Sequence, residues 1–428
     1  MHSADTQTPS LIAGHQPCQP KLSVFHQILD KYEAPFIERR IRQGRPLSKF
    51  VRKAFRKARE CGDVRFGYAA IACFHCGVLK SVPLSCNGRA CPRCLERRMI
   101  DRGADITERI FGDTPVRHAV LTFPPPLRYA LLYNHKLLAK LASVPADAML
   151  AFLRRKAKKI LGLSYVDDAQ PGAVSSIHRC SSNLDPNVHI HLLVTDGVFV
   201  RDEPGGPVSF HELPALTNEE TEEIAWDICR RSLVILKACK LWRDLEDESG
   251  DRSINVPNST PTPTRQVRGV LSLGPHNQER KITFFGRAAG STQEQQDGYS
   301  FELYARRAVA KGDRKGLRKL ADYLGHPHLT DRQLSLTPDG RVMLNTARPW
   351  QKDTKPVLFE PLDLLDKLVP LVPYPRSRTI RFHGVFAPNA SLRDEVLHMV
   401  SHTASTTNSS ATALQIRQMS WAEKIKHY

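Results

Sequence analysis

The stretch Asn187-Val-His-Ile-His-Leu-Leu-Val-Thr-Asp-Gly-Val198 constrains this chain more than any other. Its β-branched and apolar residues run to a turn signal at Asp196-Gly197, which predicts a central strand. Side chains alternate along a strand, so His189 and His191 share one face while Ile190, Leu192 and Val194 share the other. Two imidazoles about 6–7 Å apart on one strand face can hold a single divalent ion. A lone His-apolar-His triplet more often describes two histidines satisfied inside a sheet, so neighbouring motifs must decide.

Charge narrows the field of partners. Lys and Arg number 62 against 44 Asp and Glu, a net charge of +18. Such an excess points to a polyanion, nucleic acid ahead of a membrane surface. No apolar run reaches the roughly eighteen residues of a membrane span, and Met1-His-Ser-Ala-Asp-Thr-Gln7 lacks the basic-then-apolar order of a signal peptide. A cytoplasmic protein without a membrane partner is expected. Its ten cysteines then read as thiols and metal ligands rather than disulfides.

Residues 1–20 are polar and carry Pro9, Pro17 and Pro20, as in a disordered tail. From Leu22 to Glu60 the pattern is helical, interrupted at Gly44-Arg45-Pro46. Phe50, Val51, Ala54, Phe55 and Ala58 form a stripe whose flanks carry Lys49, Arg52, Lys53, Arg56, Lys57 and Arg59, a solvated face or a phosphate-binding one. Cys73-Phe-His-Cys76 and Cys91-Pro-Arg-Cys94 follow. Each Cys-x-x-Cys points two thiolates at one spot, and two such knuckles complete a closed tetrahedral site for structural zinc. Cys61 and Cys86 are left over; Cys86 could replace one of the four, with His75 a weaker substitute.

Val116–Phe123 reads as a strand ended by Pro124-Pro-Pro126, followed by a helical stretch over about 127–162. Ala173–Arg179 is a strand, Thr217-Asn-Glu-Glu220 a capping box opening a helix to about Trp242, and residues 245–268 a loop insertion. Tyr299–Ala310 alternates like a strand. Asp313–Leu324 is helical, with Leu317, Leu320, Ala321 and Leu324 inward and Tyr323 at the border, one turn after Lys319. A border tyrosine serves either as a core-edge residue or as a nucleophile. The resulting division is a tail (1–20), a helical and zinc-binding region (21–112), a central domain (113–345) and a C-terminal region with a polar tail (346–428).

In order, the paired Cys-x-x-Cys, Leu121-Thr-Phe-Pro-Pro-Pro-Leu-Arg128, Asn187–His191 with Asp196-Gly-Val-Phe199, Asp322-Tyr-Leu-Gly325, Arg348-Pro-Trp350 and Phe382-His-Gly-Val-Phe-Ala-Pro-Asn389 resemble the rolling-circle transposases of the insertion-sequence-ninety-one type. These are HUH endonucleases (His, hydrophobic, His). The resemblance implies an α/β (α+β) fold in which an antiparallel sheet is flanked by helices, behind an N-terminal helical zinc-binding region. It implies that His189 and His191 bind catalytic Mg²⁺ or Mn²⁺ and that Tyr323 is the nucleophile forming a 5′-phosphotyrosine. The family's second tyrosine would fall at Pro327, which places the chain with the single-tyrosine branch. Where relatives often carry a histidine, this chain has Glu302, the implied third ligand, with His178 as the alternative. Lys319, Arg348 and Trp350 become DNA contacts, although Trp350 suits a core equally well; Tyr304 and Tyr299 are next in line as nucleophiles. The implied partner is single-stranded or unwound DNA at element ends, opened by a host helicase, in a bacterial nucleoid setting. The family continues beyond a Trp-Ala segment where this sequence ends at Trp421–Tyr428, so a degenerate, non-catalytic zinc-dependent DNA-binding protein is one alternative. A replication initiator or relaxase is the other, though no Walker-type phosphate loop is present.

Overall fold

The structure, a computed structural model, describes residues 23–72, 77, 79–203, 205–245, 266–273, 278–290, 298–346 and 355–405. Cys73, Cys76, Arg348, Trp350, both polar ends and most of the 245–268 insertion lie outside the described residues.

In chain order the elements are α1 (Val24–Arg42), α2 (Lys49–Arg59), β1 (Tyr68–Ala72), β2 (Leu79–Pro83), α3 (Pro92–Asp105), β3 (Val116–Thr122), α4 (Pro125–Tyr133), α5 (His135–Leu141), α6 (Val144–Leu161), β4 (Gly172–Cys180), β5 (Pro186–Thr195), β6 (Gly197–Arg201) and β7 (Val208–Glu212). There follow α7 (Asn218–Ala238), β8 (Trp242–Asp244), β9 (Gln266–Leu273), β10 (Gln278–Ala288), β11 (Tyr299–Val309), α8 (Arg314–Leu324), β12 (Leu334–Leu336), β13 (Val342–Leu344), β14 (Val357–Phe359), α9 (Pro361–Leu368), β15 (Ile380–Gly384) and α10 (Arg393–Ser405). They form two compact units, Met1–Leu95 with Leu329–Val372, and Glu96–His328 with Pro373–Tyr428. In this division residues 329–372 join the N-terminal unit.

In the first unit, α2 buries Val51, Phe55 and Ala58, and the Phe55 ring lies 6.5 Å from that of Phe36 on α1. Lys49, Arg52, Lys53, Arg56 and Lys57 stay exposed, whereas Arg59 pairs with Glu33 at 2.9 Å. Asp331 ties this unit's later segment to its first, accepting from Ser23 Oγ at 2.6 Å and from Arg93 Nε at 2.7 Å.

The second unit is built on an eight-stranded sheet in the order β15-β4-β5-β3-β11-β10-β9-β8. Its pairs are antiparallel except β10 and β11, which run parallel because Tyr299 pairs with Phe284 instead of turning back from Ala288. The sheet is thus antiparallel and flanked by helices, as the resemblance implied, apart from this one parallel pair. Helices α4, α6 and α7 pack on one face. There Gly286 lets α7 approach: a Cβ at 286 would fall 2.3 Å from the Ala225 backbone. On the other face Val116, Val174, Leu193 and Val309 meet Leu317, Leu320, Ala321 and Leu324 of α8 and the π-helical turn Ile106–Phe111.

The single helical stretch expected over 127–162 is three helices. Asn134 caps the second by accepting from Leu137 N at 3.0 Å, and Pro145, lacking an N–H, sits in the first turn of the third. Thr217 and Glu220 form the expected capping box, at 3.0 and 3.2 Å. That helix ends before Trp242 because Lys240 turns left-handed, with φ 57°, and Trp242 swings into β8 to pack 5.2 Å from Phe284.

Two buried polar pairs lock the sheet. The Arg117 guanidinium grips Asp196 in a fork, at 2.9 and 2.7 Å, and donates to the Ala305 carbonyl at 2.9 Å. His383 Nε2 lies 2.8 Å from Ser175 Oγ. The motif around His383 thus closes the sheet edge. Gly384, at φ 60°, turns the chain where a Cβ would strike the Pro171 carbonyl oxygen at 2.1 Å. Among the described residues no helix is long and apolar enough to cross a membrane.

Candidate active site

Cross-strand register sets three rows of side chains on the α8 face of the sheet. His178, His189, Thr122 and Glu302 form one row, Ser176, His191, Val120 and Tyr304 the next, and Val174, Leu193, His118 and Arg307 the third. Paired residues in a sheet project to the same side. His178 is therefore directly opposite His189, and His191 is one pair further along β5.

The three histidines His178, His189 and His191 each offer a ring nitrogen, and these nitrogens all lie within 4.8 Å of one another. Each ring is also held through one of its nitrogens. His178 Nε2 is 3.1 Å from the Leu324 carbonyl oxygen, and His189 Nδ1 is 2.7 Å from the Asn187 carbonyl oxygen. A carbonyl only accepts, so both nitrogens carry the proton, leaving His178 Nδ1 and His189 Nε2 as the lone-pair donors. His191 Nδ1 is 3.0 Å from His118 Nε2. Fixing the outer nitrogen of each ring is how proteins aim imidazoles at a metal, so the donor set fits a divalent ion.

Burial keeps His178 and His118 neutral at neutral pH. It pushes His178 down to about 3, assisted by the charge of His189, and His118 down to about 4, assisted by Arg307. His328 and His383 are likewise pushed to about 4, by burial first. A neutral imidazole has the lone pair that a metal needs.

The sign of the pH effect follows. These folded-state values lie below the ordinary 6.5, so the unfolded chain takes up protons first. The stability they contribute is full above about 6.5 and falls away as pH drops towards about 4. Unfolding without added divalent ion should take up as many as about four protons near the middle of that window. Urea midpoints measured across it check this, and a flat profile would contradict the burial of these rings.

Tyr323 is presented to the same spot by α8. Asp313 caps the helix by accepting from Gly316 N at 2.8 Å. The apolar side holds the helix on the sheet, leaving Tyr323 half-buried at its border. Its ring centre is 5.0 Å from that of His191, edge-on at 89°, and 6.2 Å from those of His118 and His178. Because His178 bonds the carbonyl of the residue after Tyr323, one imidazole touches both the ligand cluster and the end of the tyrosine helix. Farther round α8, Arg318 pairs with Asp322 at 2.9 Å and donates to the Ile100 carbonyl at 3.1 Å. Gly103 makes room for Asp322, whose Oδ1 would lie 2.0 Å from a Cβ there. Lys319 is exposed on the same helix.

Glu302, the sequence choice for third ligand, is not in the cluster. It lies two strands from His189 with Thr122 between them, about 10 Å away at ordinary strand spacing, and accepts from Ser300 Oγ at 3.1 Å. His178 takes the place beside the pair.

In the first unit, Cys61, Cys86, Cys91 and Cys94 place their sulfurs within 4.8 Å of one another. Cys94 Sγ is 3.6 Å from Cys61 Sγ and 3.5 Å from Cys86 Sγ. Four sulfurs at zinc bond length make a tetrahedron with edges of about 3.8 Å, so the cluster fits that ion. Thiol hydrogen bonds from Cys61, Cys86 and Cys91 hold Cys94 well below the usual thiol range. The expected set was Cys73, Cys76, Cys91 and Cys94. Its second knuckle is here, but Cys61 and Cys86, the two left over, complete the four; spacing favours the tidy motif, whereas folding brings a distant Cys61 to the spot.

Two family models match the chain. The transposase zinc-binding domain model (Zn_Tnp_IS91) matches residues 26–123, and the Y2_Tnp transposase model matches residues 172–393. A mixed α/β sheet bearing a histidine cluster, accompanied by a zinc-binding module, thus defines a DNA-processing enzyme. The chain belongs to the IS91-type transposases. No curated protein and no solved structure matches it.

Proposed function

We propose that this transposase cuts and rejoins single-stranded DNA at element ends through Tyr323, in rolling-circle transposition. The observation carrying this is the Tyr323 ring 5.0 Å from that of His191, on a helix whose end is bonded by His178. His178, His189 and His191 would hold the divalent ion. Neutral imidazoles suit Mn²⁺ better than Mg²⁺. Bound there, the ion would supply positive charge to neutralise a non-bridging phosphate oxygen and to ease loss of protons from hydroxyl groups it holds.

Tyr323 Oη attacks the phosphorus in line, forming the O–P bond of a 5′-phosphotyrosine while the P–O3′ bond breaks. The phenol proton goes to solvent and the leaving 3′ oxygen takes one up, so charge balances. Rejoining reverses these steps: a 3′-hydroxyl attacks the phosphotyrosine and Tyr323 recovers its proton. The phosphodiester is conserved throughout, so no nucleotide hydrolysis is needed. Pro327 occupies the position of a second tyrosine, which leaves one nucleophile per chain for both steps.

The test is a denaturing gel of full-length protein, Mn²⁺ and labelled single-stranded DNA carrying the element's terminus. A slow, SDS-resistant band is expected, lost with EDTA and reduced at least about 1000-fold in Tyr323→Phe. Tight binding of that DNA with no adduct in the unaltered protein would instead favour a binder that has lost the reaction.

A further inference from the structure

Strand β11 is irregular beside the histidine cluster. Tyr304 pairs with Val120, but the next pair with a β3 partner on the same face is Arg307 with His118, so the register slips by one residue between Tyr304 and Arg307. In a regular strand Arg306 would stand opposite His118, and Arg307 would point to the face covered by α4, α6 and α7. The bulge reverses this. It leaves Tyr304 and Arg307 together on the face that bears the cluster, while Arg306 reaches Asn218 at the start of α7, at 3.2 Å. The bulge is held in place, because the Ala305 carbonyl within it accepts from the buried Arg117 at 2.9 Å.

Both side chains are accessible. Tyr304 is 37% exposed and Arg307 is exposed. Neither has a hydrogen-bond or acidic partner among the described residues. Arg307 lies close enough to the buried His118 for its charge to be felt there. The acidic neighbour, Glu302, is engaged by Ser300 and faces the charge of Arg128. An aromatic plane and an unpaired guanidinium, in rows next to His191 and beside His118, match a base and a phosphate of one nucleic-acid strand. A duplex offers no free base face, so the occupant is single-stranded.

We propose that Tyr304 and Arg307 form a subsite for single-stranded DNA alongside the histidine cluster, Tyr304 stacking on a base and Arg307 meeting a backbone phosphate. This rests on the proposed action of the cluster on single-stranded DNA. It gives Tyr304 a positioning role through its ring, not a nucleophilic one through its hydroxyl.

The experiment is fluorescence anisotropy of the full chain with labelled oligothymidylate, without divalent ion, over a series of salt concentrations. Tyr304→Ala should weaken binding about tenfold, while Tyr304→Phe and Tyr304→Trp should stay within about twofold of the original. Arg307→Ala should weaken binding and reduce the slope of log affinity against log salt by about 0.7, the value for one phosphate of a single strand. Arg306→Ala, on the other face, should leave that slope unchanged. Unaltered affinity in both alanine variants, or damage from Tyr304→Phe equal to that from Tyr304→Ala, overturns the subsite. Because binding is read without the divalent ion, the two proposals fail separately. Tyr304-dependent and Arg307-dependent binding with no covalent adduct retains the subsite and sinks the nicking reaction; an adduct with binding indifferent to both residues does the opposite.

Discussion

His178→Ala should reduce covalent adduct formation at least about 100-fold at limiting Mn²⁺, as loss of a ligand does, with partial recovery as Mn²⁺ is raised. Two separate losses underlie the size of the effect. The variant removes one of three nitrogens gathered within 4.8 Å, and it releases the Leu324 carbonyl from its 3.1 Å bond at the end of the tyrosine helix. Recovery with Mn²⁺ separates the first loss from the second, since excess ion can refill a weakened site but cannot re-seat a helix. Tyr323→Phe should show no such recovery. Glu302→Ala, two strands away, should leave the Mn²⁺ dependence unchanged. If Glu302→Ala shifts that dependence and His178→Ala does not, the third ligand is the carboxylate and the cluster must rearrange to bind metal.

Cys61→Ala should strip zinc from the protein and unfold the first unit. Structural zinc sites contribute about 10–16 kcal/mol at neutral pH, so each of four thiolates carries about 3 kcal/mol, more than about a hundredfold in zinc affinity. The segments around residues 61 and 86 are joined by the Cys86 N–H to Cys61 Sγ contact at 3.3 Å and by the Gly62 N–H to Leu84 carbonyl bond at 3.0 Å, and the first of these goes with the sulfur. Zinc content by metal analysis and limited proteolysis check this together. Cys61 is the telling position because the paired-knuckle motif omits it. Full zinc content in Cys61→Ala would return the site to the Cys73 and Cys76 knuckle.

The sequence alone determined the local pieces and the chemistry available to them. Alternation in 187–198 specified a strand with both histidines on one face, and the 3.6-residue stripe of Leu317, Leu320, Ala321 and Leu324 specified a helix with Tyr323 at its border. Capping at Thr217 and Asp313 is equally local, since the partners lie three residues away. The order of motifs carried the family, and the cysteines carried the zinc. Only the tertiary structure decided which residues meet. His178 rather than Glu302 stands beside the pair because β4 is the hydrogen-bonded neighbour of β5, whereas β3 intervenes before β11. Cys61 replaces a member of the regular motif because chain reversal, which spacing does not encode, brings it to Cys94. Side-chain periodicity is a property of one strand or helix, while pairing register depends on contacts between segments far apart in the chain. A bulge that moves Arg307 to the other face of its strand is invisible until its partner strand is known.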